Sequence, residues 1–459
     1  MIRQISYPIG MRMGCVAMLC LMPVVCSAAL KPADWVPVRW PWTDAKSLDL
    51  LNGTPVNCLL LTRPSPEFIA AAAARGVVTL AVVAPGEEAT AKADGIVIEG
   101  DGAVNGNPAG LVVELTPRHK MKLSSGAPII GTYQGVWPGI GAAADDGGSK
   151  HSGPTSSVWI DTNTGFLRAV RAFGTSTVWL ANRPPEKTVV STARYLQVIA
   201  EAAISGARWV IAFDDDLAAR LGKREEAAIG TWQRMAGLLA YFEQHPEWRE
   251  MRENGQLAVV QDPAKGGLLS GGILDMIAVK HTPVRPIAGN KLTAEALAGA
   301  TMAVNIEGNA LTPEQKEVLR AFTRAGGTLL NGPPGWQDPT PPAGKITLDK
   351  AELERLNDMW RDVNNLIGRR NMGVRLFNVA STLSNYLGSR DGKSAIVHLV
   401  NYSDYPVESV AMHYLANYPH ATLITPEGKE KTLEVYKTED GWGVDIDRVV
   451  VCATIKLEQ

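Results

Sequence analysis

Pro55-Val-Asn-Cys-Leu-Leu-Leu61, Val77-Val-Thr-Leu-Ala-Val-Val83, Gly95-Ile-Val-Ile-Glu99 and Leu111-Val-Val-Glu-Leu115 follow one another with short polar links between them. Four more apolar runs come after: Pro128–Gln134, Ser157–Asp161, Thr177–Asn182 and Arg208–Phe213. Most of these runs are continuous and not alternating, the pattern of strands buried on both faces of a parallel sheet. Helical stretches separate several of them. Glu67–Arg75 stops at Gly76, Gly165–Phe173 at Gly174, and Thr192–Ser205 at Gly206, each glycine standing where a helix C-cap belongs. Eight strands with intervening helices predict a compact (β/α)8 barrel over residues 30–253. Asp101–Gly110 and Arg118–Gly126 are too short and polar for full helices, so the barrel is expected to be locally degenerate. An open doubly wound sheet is the competing topology. A long amphipathic helix is expected from about Leu217 to Met251.

Ahead of the barrel, Met1–Arg12 carries Arg3 and Arg12 and no acid. An apolar stretch, Cys15–Cys26, follows, then the small residues Ser27-Ala28-Ala29. This is the layout of an export signal, expected over residues 1–29. The apolar part is shorter than the roughly 20 residues that span a bilayer. The expectation is a secreted or periplasmic protein with no transmembrane segment. A lipid anchor at Cys26 is the competing reading, although Val25 is a poor residue before a lipidated cysteine. Beyond the signal only Cys58 and Cys452 remain of five cysteines. Both lie in apolar runs, so buried thiols are expected and not a disulfide framework.

After the barrel, strands at Leu257–Gln261, Met302–Ile306 and Thr328–Leu330 alternate with helices at Leu268–Val279, Thr293–Ala298 and Thr312–Arg324. Thr312-Pro313-Glu314-Gln315 is a helix start with a cap, a first-turn proline and a first-turn acid. A small three-layer α/β domain is therefore expected over 254–345. It holds no cysteine between Gln256 and Pro342, which excludes an amidotransferase-type nucleophile. Asn331–Gly344 reads as a Pro/Gly linker, and a helical linker is expected over 346–372. Short strands from Gly373 onward predict an antiparallel β-sandwich over 373–459.

The 459 residues hold 45 Lys+Arg against 47 Asp+Glu, a formal charge of −2, which argues against a nucleic-acid partner. Trp outnumbers Phe, 12 to 7, and indole faces stack well on sugars. No His pair has zinc-ligand spacing, and Asp145-Asp146-Gly147 is too short for a calcium loop. No glycine-rich phosphate loop and no Gly-x-Ser-x-Gly elbow is present. No cofactor is expected.

Barrel, cysteine-free amidotransferase-like domain and small sandwich, in that order, resemble the three-domain β-galactosidases of glycoside hydrolase family 42. The resemblance is carried by the helix with Trp232 and His245-Pro246-Glu247-Trp248, and by Leu311-Thr312-Pro313 through Ala325-Gly326-Gly327-Thr328-Leu329-Leu330. It implies a glycosidase that acts on poly- or oligosaccharide. That family places one catalytic Glu after an Asn on strand four and a second on strand seven. Here the expected fourth strand offers Glu114 after Val113, and the seventh ends Ala181-Asn182-Arg183 with no Glu. The family pair is not intact, and β-galactosidase activity does not carry over.

Glycoside hydrolysis needs two carboxylates flanking the scissile bond. Ligands of a (β/α)8 barrel bind at the C-terminal strand ends. There the leading candidates are Asp161, which reads equally as a cap for the next helix, and Glu114, which reads equally as an ion-pair partner of Arg118. Glu99 and Asp101 follow the expected third strand, and Asp214 and Asp215 the eighth, where either can cap the next helix. Tyr133, Gln134 and Trp137 form an aromatic-polar loop suited to a sugar. Trp159, Asn163, Arg118, Asn182 and Arg183 are expected on the same face. A non-catalytic carbohydrate-binding or envelope scaffold barrel is the alternative function. The middle domain is a candidate homo-oligomer contact.

Overall fold

The computed structural model describes residues 31–88, 93–105, 110–137, 141–144, 150–153, 163–261, 281–306, 311–331, 350–379, 381–403 and 405–459. Eight parallel strands follow one another in chain order around one sheet: β1 (Pro37–Arg39), β2 (Cys58–Leu61), β3 (Val78–Val83), β4 (Gly95–Glu99), β5 (Leu111–Thr116), β6 (Ile129–Thr132), β7 (Thr177–Ala181) and β8 (Arg208–Val210). The last meets the first. Ile211, just past β8, bridges Val38. The Arg39 amide donates to the Ile211 carbonyl at 2.8 Å, and the Ile211 amide to that of Pro37 at 3.2 Å. The sheet is a barrel, not an open doubly wound sheet.

The expected set of strands shifts by one. The first is Pro37–Arg39, inside the Trp-rich segment that precedes the first expected run; Pro37 is tolerated there because it begins the strand. The expected strand Ser157–Asp161 lies outside the described residues, and β7 pairs directly with β6. Gly95–Glu99 is therefore the fourth strand and Leu111–Thr116 the fifth.

Alternation along the strands divides inside from outside. Cys58, Leu60, Leu80, Val97, Val113, Leu115, Ile129, Trp179, Ala181 and Val210 fill the lumen, with Trp35 among them. Leu59, Leu61, Ile130, Val178 and Leu180 face outward into a second cluster shared with the helices. Gly131 makes room inside for Leu115: a Cβ there would sit 2.4 Å from Leu115 Cδ2, which would have to shift. Helices α1 (Pro66–Ala73), α2 (Thr164–Phe173) and α3 (Thr192–Ile204) cover part of the outer face. Among the described residues no α-helix joins β3 to β4, β4 to β5 or β5 to β6; the last link holds only a 3-10 turn, Arg118–Lys120. On that flank the outward Ala81, Val83, Ile96 and Ile98 are buried in a small cluster of their own. The helix expected over Leu217–Met251 is two, α4 (Asp215–Gly222) and α5 (Glu226–Glu243), broken at Arg224 with φ +59°.

Four parallel strands form the middle sheet: β9 (Leu257–Gln261), β10 (Val284–Ala288), β11 (Met302–Asn305) and β12 (Thr328–Asn331), ordered β10-β9-β11-β12. Helix α6 (Pro313–Arg324) starts with a capping box between Thr312 and Gln315, and α7 (Lys350–Ile367) follows. Strand β10 is additional to those expected. Thr293–Ala298 forms turns and not a helix, because its last residues lead straight into Gly299 at φ +77°. The expected helix Leu268–Val279 and most of the linker Asn331–Gly344 lie outside the described residues.

The C-terminal part is two antiparallel sheets. One runs, in spatial order, Arg252–Glu253, Thr382–Gly388, Ser394–Asn401, Cys452–Glu458, His420–Ile424 and Lys431–Leu433. The other runs Val374–Phe377, Val407–Tyr414, Trp442–Val449 and Tyr436–Lys437. Alternate residues of the larger sheet split between two cores. Leu383, Leu387, Ile396 and Val400 pack on the barrel helices, while Tyr386, Ala395, Val397 and Leu399 pack on the smaller sheet. Cys58 and Cys452 are buried free thiols. No described helix is long and apolar enough to cross a membrane.

Candidate functional site

Alternation fixes what faces the barrel mouth. Glu99 ends β4 two residues past the inward Val97, and Arg39 ends β1 in the matching inward position. Arg39 Nη1 and Nη2 donate to Glu99 Oε2 and Oε1 at 2.9 and 2.7 Å, a bidentate pair spanning the lumen between β1 and β4. Burial pushes the Arg39 guanidinium below its usual value, and the Glu99 charge opposes that shift. Arg183, two residues past β7, brings Nη2 within 3.8 Å of the same carboxylate and stays largely exposed. Tyr133, just beyond β6, packs against the lumen cluster below. Among the described residues, one carboxylate and two guanidiniums at the mouth, with the Tyr133 phenol beside the lumen, can hold a polar, hydroxyl-rich or anionic ligand by charge-assisted hydrogen bonds.

Beside the mouth lies a fully buried polar knot. Glu201, in the last turn of α3, is 0 % exposed. Its Oε1 accepts from the amides of Asn163 (2.5 Å) and Thr164 (3.0 Å) and from Thr164 Oγ1 (3.0 Å), and Oε2 accepts from Asn163 Nδ2 (3.1 Å). Glu201 thus caps the start of α2 from a different helix. Burial raises its carboxyl above the ordinary range, against hydrogen bonds from Asn163, Thr164 and Tyr402. Arg118 joins the knot. Its Nη2 donates to Asn163 Oδ1 at 2.8 Å, its Nε to the Gln134 carbonyl at 2.9 Å, and its guanidinium lies 4.1 Å over the Phe166 ring.

The expected site residues therefore sort into three groups. Glu99 and Arg183 come together at the mouth, and Tyr133 stands just past β6 against the lumen cluster. Arg118, Gln134 and Asn163 are brought together but largely buried, fixing the loop beyond β6; Asn182 helps, donating to the Gly135 carbonyl at 2.6 Å. Trp137 is 5 % exposed and edge-packed on Tyr195 and Trp209 at 5.6 and 5.1 Å, so its faces are occupied. The remainder stand elsewhere. Glu114 lies between the inward Val113 and Leu115, so its carboxylate points out of the barrel and pairs with Lys122 at 2.8 Å, not with Arg118. Asp101 pairs with Lys120 and is exposed. Asp214 caps α4, accepting from the Leu217 amide at 2.9 Å and from the Tyr195 hydroxyl at 2.8 Å. Asp215 is exposed in the first turn of α4. Asp161 and Trp159 lie outside the described residues, so the pair Asp161–Glu114 is not assembled by the described structure. Arg39 and Glu201 were not legible as site residues. Arg39 sits in a three-residue strand, and the one available signal for Glu201 is a lone acid in the apolar helix face Val198-Ile-Ala-Glu-Ala-Ala-Ile204. No group of three His, Cys, Asp or Glu among the described residues is arranged to hold a metal.

No family model matches the sequence, and no curated protein matches it. Solved structures do match. The α-L-fucosidase isoenzyme 2 from Paenibacillus thiaminolyticus superposes with a TM-score of 0.60 at 10% identity, covering 93% of this chain and 99% of that one. The chain has a glycosidase-like fold. A catalytic mutant of a family 42 β-galactosidase from G. stearothermophilus matches at TM-score 0.43 and 9% identity, covering 86% of this chain and 66% of that one. A rhamnosidase from Novosphingobium sp. PP1Y matches at 0.41 and 12%, covering 85% and 38%. The barrel and the C-terminal sandwich are the architecture that the family resemblance implies.

Proposed function

We propose that this chain is an exported glycoside hydrolase-like protein that engages a poly- or oligosaccharide at the C-terminal mouth of its barrel. The carrying observation is Glu99, the one carboxylate fixed at a strand end between Arg39 and Arg183. As the partner of a guanidinium, Glu99 is an acceptor, which suits a nucleophile or a group that orients a sugar hydroxyl. It does not suit the proton donor, for which Asp161 is the candidate. Residues 1–29 support export through their charge, apolar stretch and small residues.

The alternative reading is a non-catalytic carbohydrate-binding or envelope barrel. It draws on the other engagements of the described carboxylates: Glu114 with Lys122, Asp101 with Lys120, Asp214 as a cap. Sugar release by the purified chain across a polysaccharide and aryl-glycoside panel separates the two, with Glu99→Gln, Asp161→Asn and Glu114→Gln alongside. Release abolished by the first two changes and retained in the third supports a hydrolase with its carboxylates at the mouth. Release lost only in Glu114→Gln overturns the assignment. Saccharide binding without release, weakened by Glu99→Gln, favours the binding barrel.

A further inference from the structure

Where barrel, middle sheet and sandwich meet, a cleft of about 520 Å³ opens, with Arg171, Arg252, Arg285, Lys291 and Arg390 among its lining and Glu253 as its one acid. The volume is in the range of sites that hold small ligands. The acid is taken: Glu253 accepts from Arg171 at 3.0 Å, both side chains 7 % exposed. Three of the cations are oriented by neutral acceptors. Arg171 Nη2 also donates to the Met251 carbonyl at 2.8 Å, Arg285 Nη2 to that of Gly255 at 3.2 Å, and Lys291 Nζ to that of Ala172 at 3.1 Å. A carbonyl satisfies an N–H group but does not cancel its charge. Arg252 and Arg390 make no ion pair or side-chain hydrogen bond among the described residues, and Arg390 is exposed. Among the described lining residues five cations thus face one acid, with the Asp391 carboxylate of the neighbouring turn held by Ser389 and the Lys393 amide. Arg252 records the result: burial, then Arg171 and Arg390, lower its guanidinium below the usual value, against Glu253 and Glu250.

The cleft is framed by paired backbone. Arg252 and Glu253 form an edge strand paired to Gly388 and Leu387. Arg390 lies in the tight Ser389–Gly392 turn of the next hairpin, held by Ser389 Oγ donating to Asp391 Oδ1 at 2.7 Å. Holding like charges together in this way is unfavourable unless something negative fills the space. The opening is distinct from the barrel mouth, whose residues it does not share.

We propose that this cleft is a binding site for a compact polyanion, with Arg252 and Arg390 as its direct ligands and Arg171, Arg285 and Lys291 as the fixed positive background. Carboxylate, sulfate and phosphate share the chemistry that would be recognised there: several acceptor oxygens and a charge of two or more.

The test is calorimetry on the full chain in about 150 mM salt, where diffuse surface attraction is screened beyond roughly 8 Å. The probes are inorganic sulfate, inorganic phosphate, a diuronate and a neutral disaccharide, and the preferred probe names the source. Arg252→Gln and Arg390→Gln are each expected to weaken the anion at least tenfold. Arg390→Lys, which keeps the charge, is expected to retain most of the binding. Lys437→Gln, a remote cation over the Trp442 ring, is expected to change nothing. The proposal fails if no anion binds the wild type, if the neutral disaccharide binds as well as the anions, or if Lys437→Gln weakens binding as much as the cleft variants. Ligand-free melting temperatures of the variants, expected within a few degrees of wild type, separate lost binding from lost folding.

Discussion

Arg39 and Glu99, 60 positions apart in sequence, close a two-armed ion pair across the mouth of the barrel. Strands β1 and β4 are held together there by side chains, far around the sheet from each other. Breaking a largely buried pair from one side leaves the other charge without its partner. Arg39→Met is expected to destabilise the chain by about 2 kcal/mol. A double-mutant cycle with Glu99→Gln should return a coupling of about 1–3 kcal/mol. Denaturant titration measures both. Additivity of the two changes within a few tenths of a kcal/mol would refute the coupling.

His398 is fully buried in the larger sandwich sheet, with Nδ1 at 2.8 Å from Thr454 Oγ1 and Trp248 packed at 5.2 Å. Burial, with the nearby Arg171 and His245, pushes its pKa from 6.5 down to about 3. The fold therefore binds fewer protons than the unfolded chain between those values. Stability from this group is intact above pH 6.5 and is lost as pH falls toward 3. From pH 7 to 4 the loss is about 3 kcal/mol, at roughly 1.4 kcal/mol per unit. In His398→Gln that part of the acid slope should vanish, while the Glu201 contribution, opposite in sign, stays. An unchanged slope between pH 6.5 and 4 in denaturation midpoints would count against the buried neutral ring.

The sequence offered Glu114 as a catalytic candidate and Asp214 as a binding candidate or helix cap, and the structure separates them. Asp214→Ala removes a helix cap and a buried acceptor of the Tyr195 hydroxyl, and should cost about 2 kcal/mol. Glu114→Gln removes a pair whose partners are 39 and 65 % exposed. Its effect should stay within about 0.5 kcal/mol. Thermal unfolding of the two variants ranks them; equal losses would mean that the outward position of Glu114 is wrong.

Thr312 closes the capping box at the start of α6, with Gln315 returning the bond to the Thr312 amide at 2.9 Å. Thr312→Ala is expected to remove about 1 kcal/mol, and Thr312→Ser almost none. Hydrogen exchange at the Gln315 amide gives a local readout. Protection unchanged in the alanine variant would rule out the cap as its source.

The barrel was legible because continuous apolar strands and glycine-stopped helices are local signals. Its seam was not. Pro37-Val38-Arg39 is three residues long, carries a proline and a charge, and is a strand only because Leu59 and Ile211 lie on either side of Val38. That one omission moved the numbering of the following strands and placed Glu114 on the fourth. The side a strand residue faces follows from register, so Val113-Glu114-Leu115 could not reveal that its acid looks outward. Asp214 was readable as a cap because Asp214-Asp215-Asp216 precedes an apolar helix. Glu201 was not readable as a partner of Asn163, since contact between an acid in one helix's last turn and another helix's first turn belongs to packing and not to sequence neighbours. In the middle region Thr312–Gln315 announced its helix, while Val284-Arg-Pro-Ile-Ala288 hid a strand behind a proline and an arginine.

The two-residue strand Arg252–Glu253 belongs by chain order to the end of the barrel but completes a sheet that resumes at Thr382. The same sheet lays Leu383, Leu387, Ile396 and Val400 on the barrel helices. A fragment stopped at Glu253 would carry an orphan edge and a bare apolar flank, and one begun at Gly373 would expose the complementary face. Truncation at either point, natural or engineered, removes a shared wall, so either fragment made alone should be insoluble.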